Sequence, residues 1–298
     1  NTSIDAANQT LRGILLCDGT LNANQNLTLL SDATRTALID GAGTGNVTGN
    51  LTMQRFLPLG FGYKYFSSPF QAADVGQFGS FMDLGAAFPT FYRYDENRIF
   101  TGWLNYTDPS GILYPMSGYA VNFGPAAAPV TVALTGVVNN GTLLPVTMFN
   151  RNHPFTLGFN LIGNPYPSPI DWDSPTGWIR SSVDDALYYF DAGTTDQYTG
   201  TYSTYINGVS SDGYANNIIP AMQGFFMHVS DGSYPVAGTL IFTNDVRVNN
   251  LSPHFHKKVQ AGTRPLLRLA ARYGDGRPDG DPVVIYFDHE ATPAFDKD

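Results

Sequence analysis

The chain states one pattern twice, and that repetition limits its possible folds more than any other feature. Residues 56–141 and 155–250 pass through the same signals in the same order. The first copy holds GFGYKYFSSPF from Gly60, TFYRYDEN from Thr90, GWLNY from Gly102, LYPMSGYAVNF from Leu113 and VTVALTGVVNNG from Val130. The second holds GFNLIGNPYPSPI from Gly158, ALYYFDA from Ala186, GTYSTYING from Gly200, IIPAMQGFFMHVS from Ile218 and GTLIFTNDVRVNN from Gly238. Each copy reads as five strands, the fourth carrying Pro-Met-x-Gly-aromatic or its close variant. A period of roughly 100 residues exceeds that of short solenoid repeats and is the size of a small domain. The strands of Tyr94 and Phe190 should therefore superpose. Gly118 should be equivalent to Gly224, each marking a close backbone approach or a bulge.

Composition fixes the class as all-β. Of the 298 residues, 43% are hydrophobic and only 14% charged, where about a quarter is usual. The glutamates are Glu96 and Glu290, and the lysines Lys64, Lys257, Lys258 and Lys297. Surface helices need both residue types, so long exposed helices are excluded. Asn, Thr, Ser and Gly supply the polarity instead, and they suit turns and strand faces. Alternation in 119–123 and 225–229 places i, i+2 and i+4 on one face. The expected core is Phe66, Tyr92, Tyr119, Val121, Leu161, Tyr188, Phe190, Phe225 and Met227.

Residues 1–54 differ from the copies. Asn26-Leu27-Thr28-Leu29 and Asn50-Leu51-Thr52-Met53 alternate with period two, as half-buried strands do. They read as β-solenoid-like rungs at the end of a stack, or as a short capping sheet. The expected architecture is thus tandem duplicated β-sandwich-like units, 55–150 and 151–250, behind this 1–54 segment. Residues 251–298 read as a linker and the start of a further β-domain, cut from a longer protein.

A net charge of −9 and no basic stripe disfavour nucleic acid as a partner. No apolar run is long enough for a membrane span. One cysteine, Cys17, excludes a disulfide framework and reads as a structural thiol in an apolar strand. The sequons at Asn26, Asn46, Asn50, Asn105 and Asn140 read as by-products of Asn/Thr abundance.

Candidate sites are few. In Gly163-Asn-Pro-Tyr-Pro-Ser-Pro-Ile-Asp-Trp172, three prolines fix an extended segment that no central strand tolerates. It reads either as a rigid crossover burying Trp172 or as a sugar-binding shelf of Tyr166 and Trp172. Asp275, Asp279 and Asp281 sit in a Gly/Pro turn and read as a solvated hairpin or a calcium loop. His254 and His256 share a strand face without a nearby third ligand. Asp171, Asp173, Asp184 and Asp185 are the carboxylates from which a glycosidase pair would be drawn, but most sit where Asp serves turns and caps. No nucleophile elbow or phosphate loop is present. No catalytic residue is assigned, and no cofactor beyond calcium is expected.

The strings GFNLIGNPYPSPIDW and PAMQGFFMHVS, with YKYFSSPF, GYAVNFG and PVVIYFDHEATPAFD, resemble large secreted multidomain surface proteins of Bacteroidota exported by the type IX secretion system. The resemblance runs from about Gly19 to Asp298 and implies a secreted or cell-surface location without enzymatic activity. The sorting domain that usually ends such proteins is not in this sequence. The expected function is structural or adhesive, with other domains or copies of the same protein as partners through β-edges. The alternative is a carbohydrate-binding accessory module with surface glycans as partners.

Overall fold

A computed structural model describes residues 2–193, 197–253 and 255, and the backbone of strands within 266–272 and 280–286. The chain divides into two compact units, Asn1–Lys258 and Val259–Asp298. Among the described residues regular structure is strand, apart from two short 3-10 turns, Val75–Ser80 and Asn244–Val246.

Residues 2–57 form parallel rungs. β1 (Thr2–Ser3), β2 (Gln9–Leu11) and β3 (Ile14–Leu15) make the first rung. β4 (Thr20–Asn22), β5 (Leu27–Leu29) and β6 (Leu38–Ile39) make the second. β7 (Asn46–Thr48) and β8 (Leu51–Leu57) make the third. Every pairing between rungs is parallel. The two period-two phrases stack in register, Thr28 beside Thr52, and Thr10 and Thr135 extend that outward threonine ladder on either side. The solenoid reading of this segment therefore holds.

β8 joins this stack to the first copy. It pairs in parallel with β5 on one side and antiparallel with β15 on the other. Copy 1 comprises β9 (Tyr63–Ser67), β10 (Ala73–Asp74), β11 (Phe91–Tyr94), β12 (Trp103–Asn105), β13 (Ile112–Leu113), β14 (Gly118–Asn122) and β15 (Val130–Gly136). Copy 2 comprises β16 (Val146–Asn150), β17 (Phe159–Gly163), β18 (Ile170–Asp171), β19 (Trp178–Ser181), β20 (Ala186–Ala192), β21 (Gly200–Ile206), β22 (Val209–Ser210), β23 (Ile218–Ile219), β24 (Gly224–His228) and β25 (Val236–Phe242).

The duplication is visible strand by strand. The main sheet of copy 1 runs β9–β14–β11–β12, and that of copy 2 runs β17–β24–β20–β21–β22. Gly118 faces Ser67 where Gly224 faces Gly163, and Tyr92 faces Ala120 where Tyr188 faces Phe226. That register makes Gly118 equivalent to Gly224 and Tyr94 equivalent to Phe190. The ribbons β10–β13 and β18–β23 also correspond. Beside them Val75 N–H bonds Gly111 O, and Trp172 N–H bonds Asn217 O, both at 2.8 Å.

The two copies pack with a local two-fold relation. Ser67 N–H bonds Met222 O and Gly163 N–H bonds Met116 O, each at 3.0 Å. Met116 and Met222 both adopt positive φ, 62° and 63°. A Cβ on Gly118 would lie 2.5 Å from Ile162 O, and one on Gly224 would lie 2.8 Å from Phe66 O. Both glycines thus let the other copy's backbone come close, as the sequence pattern anticipates.

Four sheet layers result, with three apolar zones between them. In the first, Leu29, Met53, Val132 and Leu134 meet Phe66, Phe91 and Val121. In the last, Met148, Leu240 and Phe242 meet Ile162, Leu187, Phe225 and Met227. Between the copies lie Tyr65, Ala120, Leu161 and Phe226, ringed by Tyr94, Trp103, Phe159 and Phe190. Strand β9 therefore buries both faces, Phe66 and Lys64 on one and Tyr65 on the other. The core assignment needs one correction. Tyr92, Tyr188 and Phe190 are only half-buried, because they flank the packed centre of the inter-copy zone rather than fill it.

In the second unit, β26 (Leu266–Arg272) and β27 (Gly280–Tyr286) form an antiparallel pair, Leu266 beside Tyr286.

Candidate functional site

The structure closes the expected sugar shelf. Tyr166 and Trp172 are both 0% exposed, so neither ring offers a face to a ligand. Tyr166 donates its hydroxyl to Gly141 O at 2.6 Å, and the Arg247 guanidinium lies 5.1 Å from its ring. Burial pushes its phenol above the ordinary range. Trp172 donates Nε1–H to Asp185 at 2.6 Å, packs edge-on to Trp178 and carries Arg180 at 4.2 Å over its ring.

The proline string is a joint. Ile39 N–H from the second rung bonds Pro167 O, and Asn139 Nδ2 from the end of copy 1 donates to Pro165 O. Arg247 reaches the Ile39 carbonyl, the Ser168 hydroxyl and the side-chain oxygens of Asn140 and Asn244. One side chain thus ties rung, copy 1 and copy 2 together. Arg55 does the same from β8, donating to Thr36 Oγ1 and Ala221 O, with its charge set over the Phe255 ring. Burial lowers both guanidinium pKa values to about 10.

Asp171, Asp173, Asp184 and Asp185 do not converge on a reaction centre. Asp171 takes Asn217 Nδ2, Asp173 takes the Tyr205 hydroxyl, and Asp185 takes Trp172 and Arg180. Asp184 pairs with His228 and Ser230. Each holds a loop in place. Cys17 is half-buried rather than within a strand, its thiol 3.0 Å from Gly19 O. Among the described residues no group of three His, Cys, Asp or Glu side chains is placed to hold a metal. The calcium reading of Asp275, Asp279 and Asp281 and the histidine pair His254 and His256 lie outside the described residues, except for the backbone of Asp281 in β27.

What remains open is the first rung. β1, β2 and β3 each end their sheet. Burial fades towards them along every interior column. From Met53 and Leu29, both 0% exposed, the column rises to half-exposed Leu11. From Leu51 and Leu27 it rises to exposed Gln9, and from Ile39 to half-exposed Leu15. Gln9 N–H bonds Asn26 O at 2.7 Å and Leu11 O accepts from Leu30 N–H at 2.9 Å. Alternation along the strand then turns both backbone groups of Thr10 to the unpaired side. β1, β2 and β3 themselves hold no charge and no proline, and Arg12 between β2 and β3 is paired with Asp32. The opposite edge of that sheet is guarded: the Gln77 amide accepts Thr135 N–H at 2.7 Å and donates to Thr135 O at 3.2 Å. From the sequence, two stretches are candidates for an exposed edge, the Asn/Thr-rich strands of residues 1–54 and the strand 282–288. The sequence carries no signal for Gln77, which lies in a 3-10 turn far from Thr135 in the chain.

A family model described as a domain of unknown function, DUF8693, matches residues 15–269. No curated protein and no solved structure matches the chain. The match spans most of the rungs and both copies, so the duplicated architecture falls within a single family domain. Among the described residues no helix is long and apolar enough to cross a membrane.

Proposed function

As the chain belongs to the DUF8693 family, whose function is open, we propose from its geometry that it is a non-enzymatic structural module of a secreted or cell-surface protein. It docks to its neighbours by adding a β-rung to the open end of its parallel stack. The observation that carries this reading is the unguarded rung formed by β1, β2 and β3, with half-exposed Leu11 and Leu15 above buried columns. A strand laid on Thr10 would satisfy its free backbone groups and bury these leucines, as in β-augmentation. The occupant is a strand of the same polypeptide or of another copy. The low surface charge and the Asn/Thr-rich strands support an extracellular setting, in keeping with the resemblance to secreted surface proteins. The carboxylates engaged in loop bonds support the absence of a reaction.

Thr10→Pro is the selective test, because it removes a donor from the open side only and leaves the bonds to β5. The native chain should associate with rising concentration in sedimentation velocity, or capture a peptide of residues 20–41. Thr10→Pro should do neither, at an unchanged thermal midpoint. A native chain that stays monomeric, ignores the peptide and exchanges the Thr10 amide freely would refute the proposal.

A further inference from the structure

The two copies share their main-sheet order and their reciprocal hydrogen bonds, and one of the segments in which they differ borders a groove. Between Val75 and Tyr92 in copy 1 the chain makes a 3-10 turn and a projecting loop. The equivalent stretch of copy 2, between Trp172 and Tyr188, instead folds into β19 and pairs with β25. The copy 1 loop borders a groove of about 420 Å³, within the range of about 300–1,000 Å³ usual for small-ligand clefts. Copy 2 closes the groove from the other side with Gln197 and Tyr198.

Two aromatic rings stand open in this groove. Phe88 is 56% exposed and Tyr198 is 52% exposed. Their centroids lie 5.2 Å apart and their planes meet at 73°, an edge-to-face pair that forms a corner. The corner is backed rather than free-standing, since Tyr63 lies 6.5 Å from Tyr198 and 6.2 Å from Tyr92. The loop is held in shape: Asp83 Oδ1 accepts Gly85 N–H and Asp83 O accepts the Thr90 hydroxyl, both at 2.8 Å. Close approach also fixes the far wall, where a Cβ on Gly62 would lie 3.1 Å from Gln197 O.

Chemistry selects the ligand class. The electron-rich ring faces suit the C–H face of a pyranose, which carries slight positive charge. Asp83 and Gln197 line the walls, and their polar groups are of the kind that suits the hydroxyl rim of such a sugar. No Lys, Arg or His lines the groove, and Asp83 repels anions. We propose that this groove binds a neutral oligosaccharide, with Phe88 and Tyr198 as its stacking platform. Uronic, sulfated and phosphorylated chains are excluded by charge. The inference does not depend on the open rung, and either can fail alone.

The test is titration of the chain with maltohexaose, cellohexaose, xylohexaose and mannohexaose. Hexagalacturonate serves as the anionic arm and a proline hexapeptide as the polypeptide arm. At least one neutral hexasaccharide should bind with a Kd of roughly 10 µM to 1 mM. Phe88→Ala and Tyr198→Ala should each weaken it by about tenfold or more, whereas Phe100→Ala, at an exposed ring elsewhere, should not. Because Phe88 and Tyr198 are half-exposed, thermal midpoints should hold. Amide shifts on binding should centre on Thr90 and Gln197, which reads the site without any variant. The proposal is overturned if no neutral probe binds at about 10 mM, if the anion or the peptide binds best, or if the shifts map elsewhere.

Discussion

Single residues in this protein act mainly as ties between segments distant in sequence. Glu96 is one of two glutamates in the chain, and its side chain is 3% exposed. It accepts the backbone N–H of Arg151 at 2.8 Å and its guanidinium at 2.5 Å, while its own carbonyl takes the Thr156 hydroxyl. The connection between the copies is thereby pinned to the end of β11. Glu96→Ala removes two charge-assisted bonds but leaves Arg151 partly in water, so the loss should be about 1–3 kcal/mol. Urea denaturation that shows no shift in midpoint would mean the connection is held by other contacts. A polar 150–154 stretch ending in proline reads in sequence as a boundary. Nothing in that pattern announces that Glu96, more than fifty positions earlier, would bind it.

At the scale of elements, the strand and glycine patterns were largely legible, and the faces less so. Period-two alternation in residues 26–29 and 50–53 gives the interior columns directly, because a parallel stack repeats the same side chain above itself. Equivalent signals in equivalent order give the common strand order of both copies. Alternation in β14 and β24 assigns one face correctly, but it does not show that the other face is covered too. Tyr65, Ala120 and Phe226 fill the second face only because a homologous sheet lies against it. The sugar-shelf reading of Tyr166 and Trp172 failed for a related reason. Aromatic residues next to prolines look the same in sequence whether solvent or Arg247 and Arg180 cover their rings. The groove at Phe88 and Tyr198 was missed because its two walls come from different copies. Glycines provide a sharp test at this scale. Gly118→Ala and Gly224→Ala each force a methyl group against the other copy's backbone, at a cost of about 1–3 kcal/mol or more. Gly13→Ala meets nothing within 4 Å and should be close to neutral. Equal thermal shifts for the three variants would contradict the close packing of the copies.

Across the whole molecule, the zone between the copies is unusual in being built from phenols. Tyr65 and Tyr202 share a hydrogen bond of 2.8 Å across it, and Tyr65 stacks on Phe190 at 5.3 Å. Burial raises the pKa of Tyr65 well above its ordinary value, that of Tyr63 to about 12, and those of Tyr92, Tyr94, Tyr188 and, although the residue is 48% exposed, Tyr202 in the same direction. The sign follows from linkage. A group whose folded pKa lies above its unfolded value contributes stability in full below the unfolded pKa, near 10 for a phenol. That contribution is lost as pH rises towards and through the folded value. The buried arginines Arg55 and Arg247 act oppositely, since their folded pKa values fall to about 10, but they are two against six tyrosines of this zone. Stability should therefore fall steeply above about pH 10, and the copies should part along the phenol layer. Tyrosine ionisation, followed by absorbance, should stay incomplete until a cooperative step that coincides with loss of tertiary structure. Replacing Tyr65 and Tyr202 together by Phe removes a bonded pair and leaves an apolar contact, a nearly neutral exchange at neutral pH. It should move the alkaline midpoint upward. Free titration of all phenols around pH 10 in a protein that stays folded would show that this layer is open to water.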